Sequence, residues 1–246
     1  MKTIGLLGGM SWESTVTYYR LINEAVRQQL GGFHSARIVL YSVDFYEVEE
    51  LQRLGEWKEA GLLLADAAAR VESAGADFLI LCTNTMHEVC PEIEKRIKIP
   101  FLHIADATAE EIQRKKMATV GLLGTRFTME RVFYRGRLES KYGLKVLVPG
   151  GQDRELVHRV IYEELCLGKI RNESRLQFRE VIRKLVAQGA QGIILGCTEI
   201  SLLAKGEDSP VALFDTTAIH AWKAVQWAIE GLGSRKKDPP ERVQDK

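Results

Sequence analysis

Short apolar runs alternate with longer stretches of helical periodicity along most of the chain. Residues 3–8 (TIGLLG) predict a buried strand, 9–14 its βα turn, and 15–30 a helix with Tyr18, Leu21, Ile22, Ala25 and Val26 on one face. Gly31 and Gly32 stop that helix. A second strand follows at 37–44, a polar and acidic loop or short helix begins over 45–53, and an Ala-rich helix covers 58–73. Phe78, Leu79, Ile80 and Leu81 form a third strand, followed by a helical segment at 88–97 that Pro91 ends or kinks early. Pro100 then leads into a strand at 101–104 that runs out at Asp106.

The cycle restarts at 118–124 (ATVGLLG), with Gly121 and Gly124 echoing Gly5 and Gly8. A helix is expected at 127–142, a strand at 145–149, helices at 153–170 and 173–188, strands at 192–196 and 211–214, and a closing helix at 220–230. Strand–helix alternation at this spacing predicts an α/β fold of two pseudo-symmetric, doubly wound domains, each a short, mostly parallel sheet flanked by helices, with a cleft between them. The domains are drawn as 1–105 plus a returning helix in 216–233, and 106–215. The tail at 234–246 has no apolar periodicity and is expected to be disordered.

The repeat can be registered. Gly75 precedes the third strand as Gly189 precedes its counterpart, an offset of 189 − 75 = 114 residues. The same offset pairs Leu81 with Leu195, Cys82 with Gly196 and Thr83 with Cys197. Each of these strands therefore ends in a cluster able to do chemistry, Cys82-Thr83-Asn84-Thr85 in one half and Cys197-Thr198-Glu199 in the other. Open α/β sheets bind ligands at such strand ends. Successive strand residues face opposite ways, so Thr83 is expected in the cleft and Cys82 in the packed layer.

Cysteine is more often a buried, inert residue than a reactive one. The half-to-half echo favours function for Cys197, whose thiol nearby helix N-termini can ionise. Cys90 and Cys166 lie in helical patterns and read as core. Asn84, Thr85 and Thr198 can serve as helix N-caps and also offer hydrogen bonds to a carboxylate. The turns at Met10-Ser11 and Thr125 resemble each other, and Gln52 can reach a ligand from the segment after the second strand. His87, within a turn of Thr83, is expected to cap or pack rather than catalyse.

Composition narrows the partners. The net charge of +1 gives no field for nucleic acid or membrane, and no apolar run approaches the length of a spanning helix. Four cysteines at 82, 90, 166 and 197 show neither a metal spacing nor a C-x-x-C pair, which suits free thiols in a reducing cytoplasm. No Walker lysine or G-x-G-x-x-G is present, so neither a nucleotide nor another cofactor is expected, and no metal.

With GLLGGMSWEST, CTNTMH and GCTEI in order, the chain resembles the aspartate/glutamate racemase family up to about Gly231. The resemblance implies a cofactor-independent racemase, homodimeric, acting on a small amino acid of the aspartate/glutamate type. It implies one acid–base group on each face of the substrate Cα, with Cys197 serving the L face. The family pattern has a cysteine immediately before Asn-Thr, where this chain has Thr83. Either Thr83 takes the first catalytic position or a displaced Cys82 reaches in, and the repeat favours Thr83. The candidate site is thus Thr83 and Cys197 as catalysts, with Met10, Ser11, Gln52, Asn84, Thr85, Thr125, Thr198 and Glu199 binding substrate. Aspartate-specific relatives carry an arginine after the second strand, and this chain has none there before Arg53. Hydantoin racemase, maleate isomerase or decarboxylase chemistry shares the paired-site cleft, and a carboxylate-binding module without chemistry is the reading from another class.

Overall fold

A computed structural model describes residues 1–230, so the tail expected to be disordered lies outside the described residues. The first sheet holds β1 (Ile4–Gly8), β2 (Ile38–Ser42) and β3 (Phe78–Leu81) in the order β2-β1-β3. The second holds β4 (Thr119–Gly124), β5 (Lys145–Leu147), β6 (Gly192–Gly196) and β7 (Ala212–Asp215) in the order β5-β4-β6-β7. Every strand pair is parallel. In both sheets the chain moves from its first strand to one neighbour and then crosses to the other. The strand order therefore reverses beside β1 and beside β4, where such sheets leave a crevice at their carboxyl ends.

The strand sequences explain the layers. Phe78, Ile80 and Cys82 pack against α1 (Trp12–Leu30) and α11 (Thr216–Ile229). Leu79 and Leu81, one step out of phase, pack against α3 (Trp57–Ser73) and its neighbours. α1 buries Tyr18, Ile22, Ala25 and Val26 on one stripe, is capped by the Ser11 side chain accepting from Ser14 N–H, and stops at Gly31 with φ 76°. α11 leaves the second sheet through an Asp215 cap and carries Ala221, Trp222, Ala224, Val225, Ala228 and Ile229 into the core beside β1. Lys2 N–H donates to Ala228 carbonyl oxygen, fastening the end of that helix to the first strand. The second sheet has one continuous core, to which α5 (Ile104–Arg114), α7 (Val132–Tyr142), α8 (Gly151–Glu163), α9 (Asn172–Ala187) and the short α10 (Ile200–Leu203) contribute. Among the described residues no helix is long and apolar enough to cross a membrane.

Several elements depart from the sequence expectation. The strand at 101–104 shrinks to a single bridge between Phe101 and Leu79, because the His103 side chain caps α5 and turns the chain into a helix at Ile104. Pro91 opens α4 (Cys90–Arg96) instead of ending a helix, in the first-turn position where its missing N–H costs nothing. A 3-10 turn, Thr85–Val89, precedes it. The expected helix at 127–142 breaks at Arg131 (φ −81°, ψ 155°) into α6 (Arg126–Glu130) and α7. The guanidinium of Arg131 lies 4.2 Å from the Trp57 ring and 3.0 Å from Glu88, both in the first half, and this contact replaces helical continuity. The helix at 153–170 ends at Glu163, and a 3-10 turn, Leu165–Leu167, follows. Residues 45–54 form a full helix, α2 (Phe45–Leu54), capped by Asp44 and closed by Gly55.

Two strand glycines let the covering helices close down. A Cβ on Gly5 would sit 2.6 Å from Val71 Cγ1 and 2.9 Å from the Phe78 carbonyl oxygen. On Gly121 it would meet the ends of Ile193 and Leu185, the latter at 3.0 Å. Val71 and Leu185 are themselves related by the 114-residue offset (185 − 71 = 114), so both halves use one packing solution. The backbone oxygen beside Gly5 cannot move away as a leucine or isoleucine methyl can. Gly5→Ala should therefore destabilise the fold by about 1–3 kcal/mol and Gly121→Ala by less. Urea unfolding of the two variants measures the difference, and the reverse order contradicts it.

Candidate active site

The cleft is built from strand ends of both sheets. The turn after β1 brings Met10 and Ser11, the one after β3 brings Thr83, Asn84 and Thr85, the one after β4 brings Thr125, and the one after β6 brings Cys197, Thr198 and Glu199. Gln52 reaches in from α2. All of the candidate residues named from the sequence thus line a single cleft.

Register decides the orientation of the adjacent Cys82 and Thr83. Leu7 pairs with Leu81 in the first sheet as Leu123 pairs with Leu195 in the second, so the 114-residue offset holds in space. Cys82 continues the alternation into the layer under α1 and α11, fully buried, and burial pushes its thiol far up from the usual range. Thr83 turns into the cleft, as does Cys197 at the equivalent position.

Hydrogen bonds cross between the halves at the cleft floor. Ser11 Oγ donates to Glu199 Oε1 at 3.1 Å. Ser14 Oγ donates to the Cys82 carbonyl oxygen at 2.9 Å, which leaves it to accept from Thr198 Oγ1 at 2.8 Å. Thr85 and Thr125 hydroxyls meet at 3.1 Å. Asn84 Nδ2 donates to Thr216 Oγ1 at 3.1 Å, and Thr216 spends its own proton on the Leu195 carbonyl oxygen. That network fixes the amide orientation, and Asn84 Oδ1 remains buried with no partner. A buried acceptor of this kind carries a desolvation cost until something donates to it.

Cys197 Sγ donates to Glu199 Oε2 at 3.0 Å. The Glu199 carboxylate, only 7% exposed, therefore accepts from a thiol on one oxygen and a serine on the other. The sequence expectation of a thiol ionised by helix ends is corrected here: burial first, and the Glu199 carboxylate second, raise the Cys197 thiol well above its ordinary value. Its resting form is the protonated thiol.

Beneath the Thr83 loop three histidine rings meet at steep angles to one another. His87 and His103 rings are 4.5 Å apart and His87 and His220 5.9 Å apart. His87 Nε2 accepts from Ile104 N–H at 3.2 Å, so Nδ1 carries the proton it donates to the Thr83 carbonyl oxygen at 2.8 Å. His220 Nε2–H donates to the Leu102 carbonyl oxygen and its Nδ1 faces Tyr18 Oη at 2.8 Å. These bonds use the neutral imidazoles, and burial lowers the His87 and His103 values and brings His220 to about 4. His87 thus holds the Thr83 backbone without facing the cleft.

The sequence reading missed part of the wall. Phe45, Ile161 and Tyr162 line it, and so does Cys166, expected as core but half-buried at the cleft because the helix breaks at Glu164. Burial pushes the Cys166 thiol up to about 12. Ser14 and Thr216 were also missed, since nothing local marks a hydroxyl whose partner lies roughly 130 or more residues away; the turn motif around Ser11 was the available signal for Ser14. Among the described residues no group of three or more His, Cys, Asp or Glu side chains is placed to hold a metal ion.

The chain is similar to known proteins over most of its length. The pattern of the Asp/Glu/Hydantoin racemase family matches residues 7–224. The broad specificity amino-acid racemase RacX of Bacillus subtilis (strain 168) is 26% identical over 234 residues, covering 90% of this chain and 96% of that protein. A candidate Asp/Glu racemase from Yersinia pestis has a crystal structure that superposes with a TM-score of 0.89 at 57% identity, covering 94% of this chain and all of that one (100%). PH1733, an aspartate racemase homologue from Pyrococcus horikoshii OT3, superposes with a TM-score of 0.82 at 36% identity, covering 94% and 100%.

Two outcomes are expected from the site's electrostatics. Replacing Glu199 by glutamine removes a negative charge beside Cys197, so its thiol should ionise at lower pH. Iodoacetamide should then label Cys197 several-fold faster at pH 8, and mass-spectrometric mapping of the alkylated cysteine checks it. An unchanged rate contradicts the pairing. The histidines give a pH dependence. Their folded values lie below the unfolded value near 6.5, so their stability contribution is complete above that pH. It is lost as pH falls toward about 4, at up to about 1.4 kcal/mol per pH unit for each histidine. Urea midpoints should drop between pH 7 and pH 5, and a constant midpoint contradicts burial of the neutral rings.

Proposed function

The chain belongs to the Asp/Glu/hydantoin racemase family, and we propose that it racemises an amino acid at Cα without a cofactor, by proton transfer involving Cys197 on one face and Thr83 on the other. The observation that carries this reading is that Thr83 and Cys197, equivalent by register, line one cleft from opposite halves. The broad-specificity racemase similar to this chain supports an amino-acid substrate. The reading includes a homodimer, as the resemblance implies, in the reducing cytoplasm that free thiols suit.

The residues suggest how the substrate sits. Its ammonium suits the unpartnered Asn84 Oδ1 and the Glu199 carboxylate. Its carboxylate suits the hydroxyls of Thr85 and Thr125. Hydrogen bonds to that carboxylate stabilise the negative charge that spreads into it when the α-proton leaves, and a cleft closed to bulk water strengthens them.

The ammonium also changes Cys197. Its positive charge offsets Glu199, which lowers the cost of a thiolate next door. The thiol proton passes to Glu199, and the thiolate takes the α-proton of the L enantiomer. Thr83 gives its hydroxyl proton to the opposite face of the carbanion and is re-protonated through solvent at the expense of the proton held on Glu199. A hydroxyl is a much weaker acid than a thiol, so Thr83 acts as a relay and is the slower partner.

In deuterium oxide the two faces can be separated. Thr83→Ala should still exchange the α-proton of L substrate without inversion, while D product falls at least tenfold. Cys197→Ala should lose both exchange and inversion, and Cys82→Ala should keep inversion. Chiral chromatography with mass detection over a panel of L-amino acids reads all three. No turnover of any amino acid by the wild-type protein rejects racemisation. Loss of inversion in Cys82→Ala with retention in Thr83→Ala rejects the assignment of Thr83.

A further inference from the structure

Three consecutive carbonyl oxygens of the loop after β3 are each taken by a donor. Ser14 Oγ donates to that of Cys82 at 2.9 Å, the His87 ring Nδ1–H to that of Thr83 at 2.8 Å, and the His87 backbone N–H to that of Asn84 at 3.1 Å. His87 supplies two of the three, and the bond made by its ring falls on the residue whose hydroxyl enters the cleft. The ring itself is fully buried and does not line the cleft.

The far edge of the ring is held as well. Its Nε2 accepts from Ile104 N–H at 3.2 Å, in the first turn of α5. A helix start leaves such an N–H without an internal partner. Only a neutral imidazole with its proton on Nδ1 makes both bonds, because the charged ring has no acceptor left for Ile104. The ring therefore ties the Thr83–Asn84 peptide to α5, which packs in the core of the second sheet.

The other half is built differently. The 114-residue offset pairs His87 with Ser201 (201 − 87 = 114). Ser201 Oγ donates to the Thr198 carbonyl oxygen at 3.0 Å, one residue beyond Cys197. The Cys197 carbonyl oxygen accepts from a backbone donor, Ile200 N–H, at 3.2 Å. The backbone of Cys197 is thus fixed by the turn of its own loop, whereas that of Thr83 depends on a side chain.

We propose that His87 is the positioning residue for Thr83: its Nδ1–H fixes the peptide that follows Thr83 and so aims the Thr83 hydroxyl at the substrate face opposite Cys197. The inference rests on the racemase reading, and His87 touches neither substrate nor the reacting atoms. Without the ring donor the Thr83 carbonyl oxygen is left buried and unpaired, and its peptide is free to turn. Proton delivery is steeply sensitive to a displacement of that kind. The Asn84 bond to Thr216 and the backbone bond from residue 87 survive any change of side chain, so the substrate-binding part of the loop is kept. The defect should fall on one face only.

Two variants separate the two edges of the ring. His87→Asn puts an amide N–H in the place of Nδ1–H. His87→Gln offers an amide oxygen to Ile104 and gives up the donor to Thr83. Both are assayed in deuterium oxide with the L-amino acid that the wild-type protein inverts fastest. In His87→Gln, inversion should fall by about tenfold or more, while KM and exchange of the L α-proton stay within about threefold of wild type. In His87→Asn, inversion should return to within about threefold of wild type. A histidine that only stabilises the fold lowers exchange and inversion in parallel in both variants, in step with their urea midpoints. That parallel loss, retained inversion in His87→Gln, or a loss in His87→Asn as deep as in His87→Gln overturns the inference and leaves the racemase reading standing. No turnover by the wild-type protein rejects that reading and this inference with it. A further check needs no variant to fold: 15N spectra of the wild-type histidine rings at pH 7 should show His87 protonated at Nδ1 alone, and the opposite tautomer also overturns the inference.

Discussion

Hydroxyl and amide side chains on the ends of two separate sheets satisfy one another across the cleft, and the arrangement of the molecule follows from that pairing. Ser11 reaches Glu199, Ser14 reaches Thr198, Thr85 reaches Thr125 and Asn84 reaches Thr216. All of these residues are buried, so each would carry a desolvation cost if the halves moved apart without water entering. α11 adds a second tie, since it begins at the end of β7 and completes the core beside β1. The cleft is therefore a set of paired polar groups waiting to exchange partners. Asn84 Oδ1 alone lacks one in advance.

Much of this was legible in the sequence because it depends on short-range pattern. Two-residue alternation separates Cys82 from Thr83, and the offset between halves places Thr83 opposite Cys197. The βα turns pointed to Ser11 and Thr125. What escaped depends on contacts far apart in the chain. The break at Arg131 follows from Trp57 and Glu88, which no local rule connects to it. The strand expected after Pro100 gave way to a side-chain cap from His103, a residue rarely read as a cap. Cys166 reached the cleft only because its helix ended early. The state of Cys197 differs from the expectation because burial, and after it the Glu199 carboxylate two residues on, hold the proton on the thiol.

The two neighbouring residues of the first strand end are not interchangeable. Cys82 lies in a layer with Ile4, Ile80 and Trp222, where an ion has no compensation. Bringing its sulfur into the cleft would require the strand to slip by one residue, which would also turn Ile80 and Phe78 out of that layer. Their burial is worth about 1.5–3 kcal/mol each, so the slip is disfavoured by more than a single thiol could return. The thiol at 82 is a packing residue next to Thr83, which lines the cleft.

The asymmetry between the halves extends beyond the residues at the two acid–base positions. The offset that pairs Thr83 with Cys197 also pairs Thr85 with Glu199 (199 − 85 = 114), so each acid–base candidate has a companion two residues later. On one side the companion is a carboxylate that accepts the thiol proton; on the other it is a hydroxyl already in contact with Thr125. Among the described residues a carboxylate therefore contacts only the Cys197 candidate of the two. Placing a thiol at 83 alone would not make the halves equal. Such a thiolate would have Thr85 as a hydrogen-bond donor nearby and no carboxylate opposing it, so it would ionise more readily than Cys197 does. Matching the two faces would require the pairs to change together, which is why the acid–base residue and its companion are best regarded as one unit in each half.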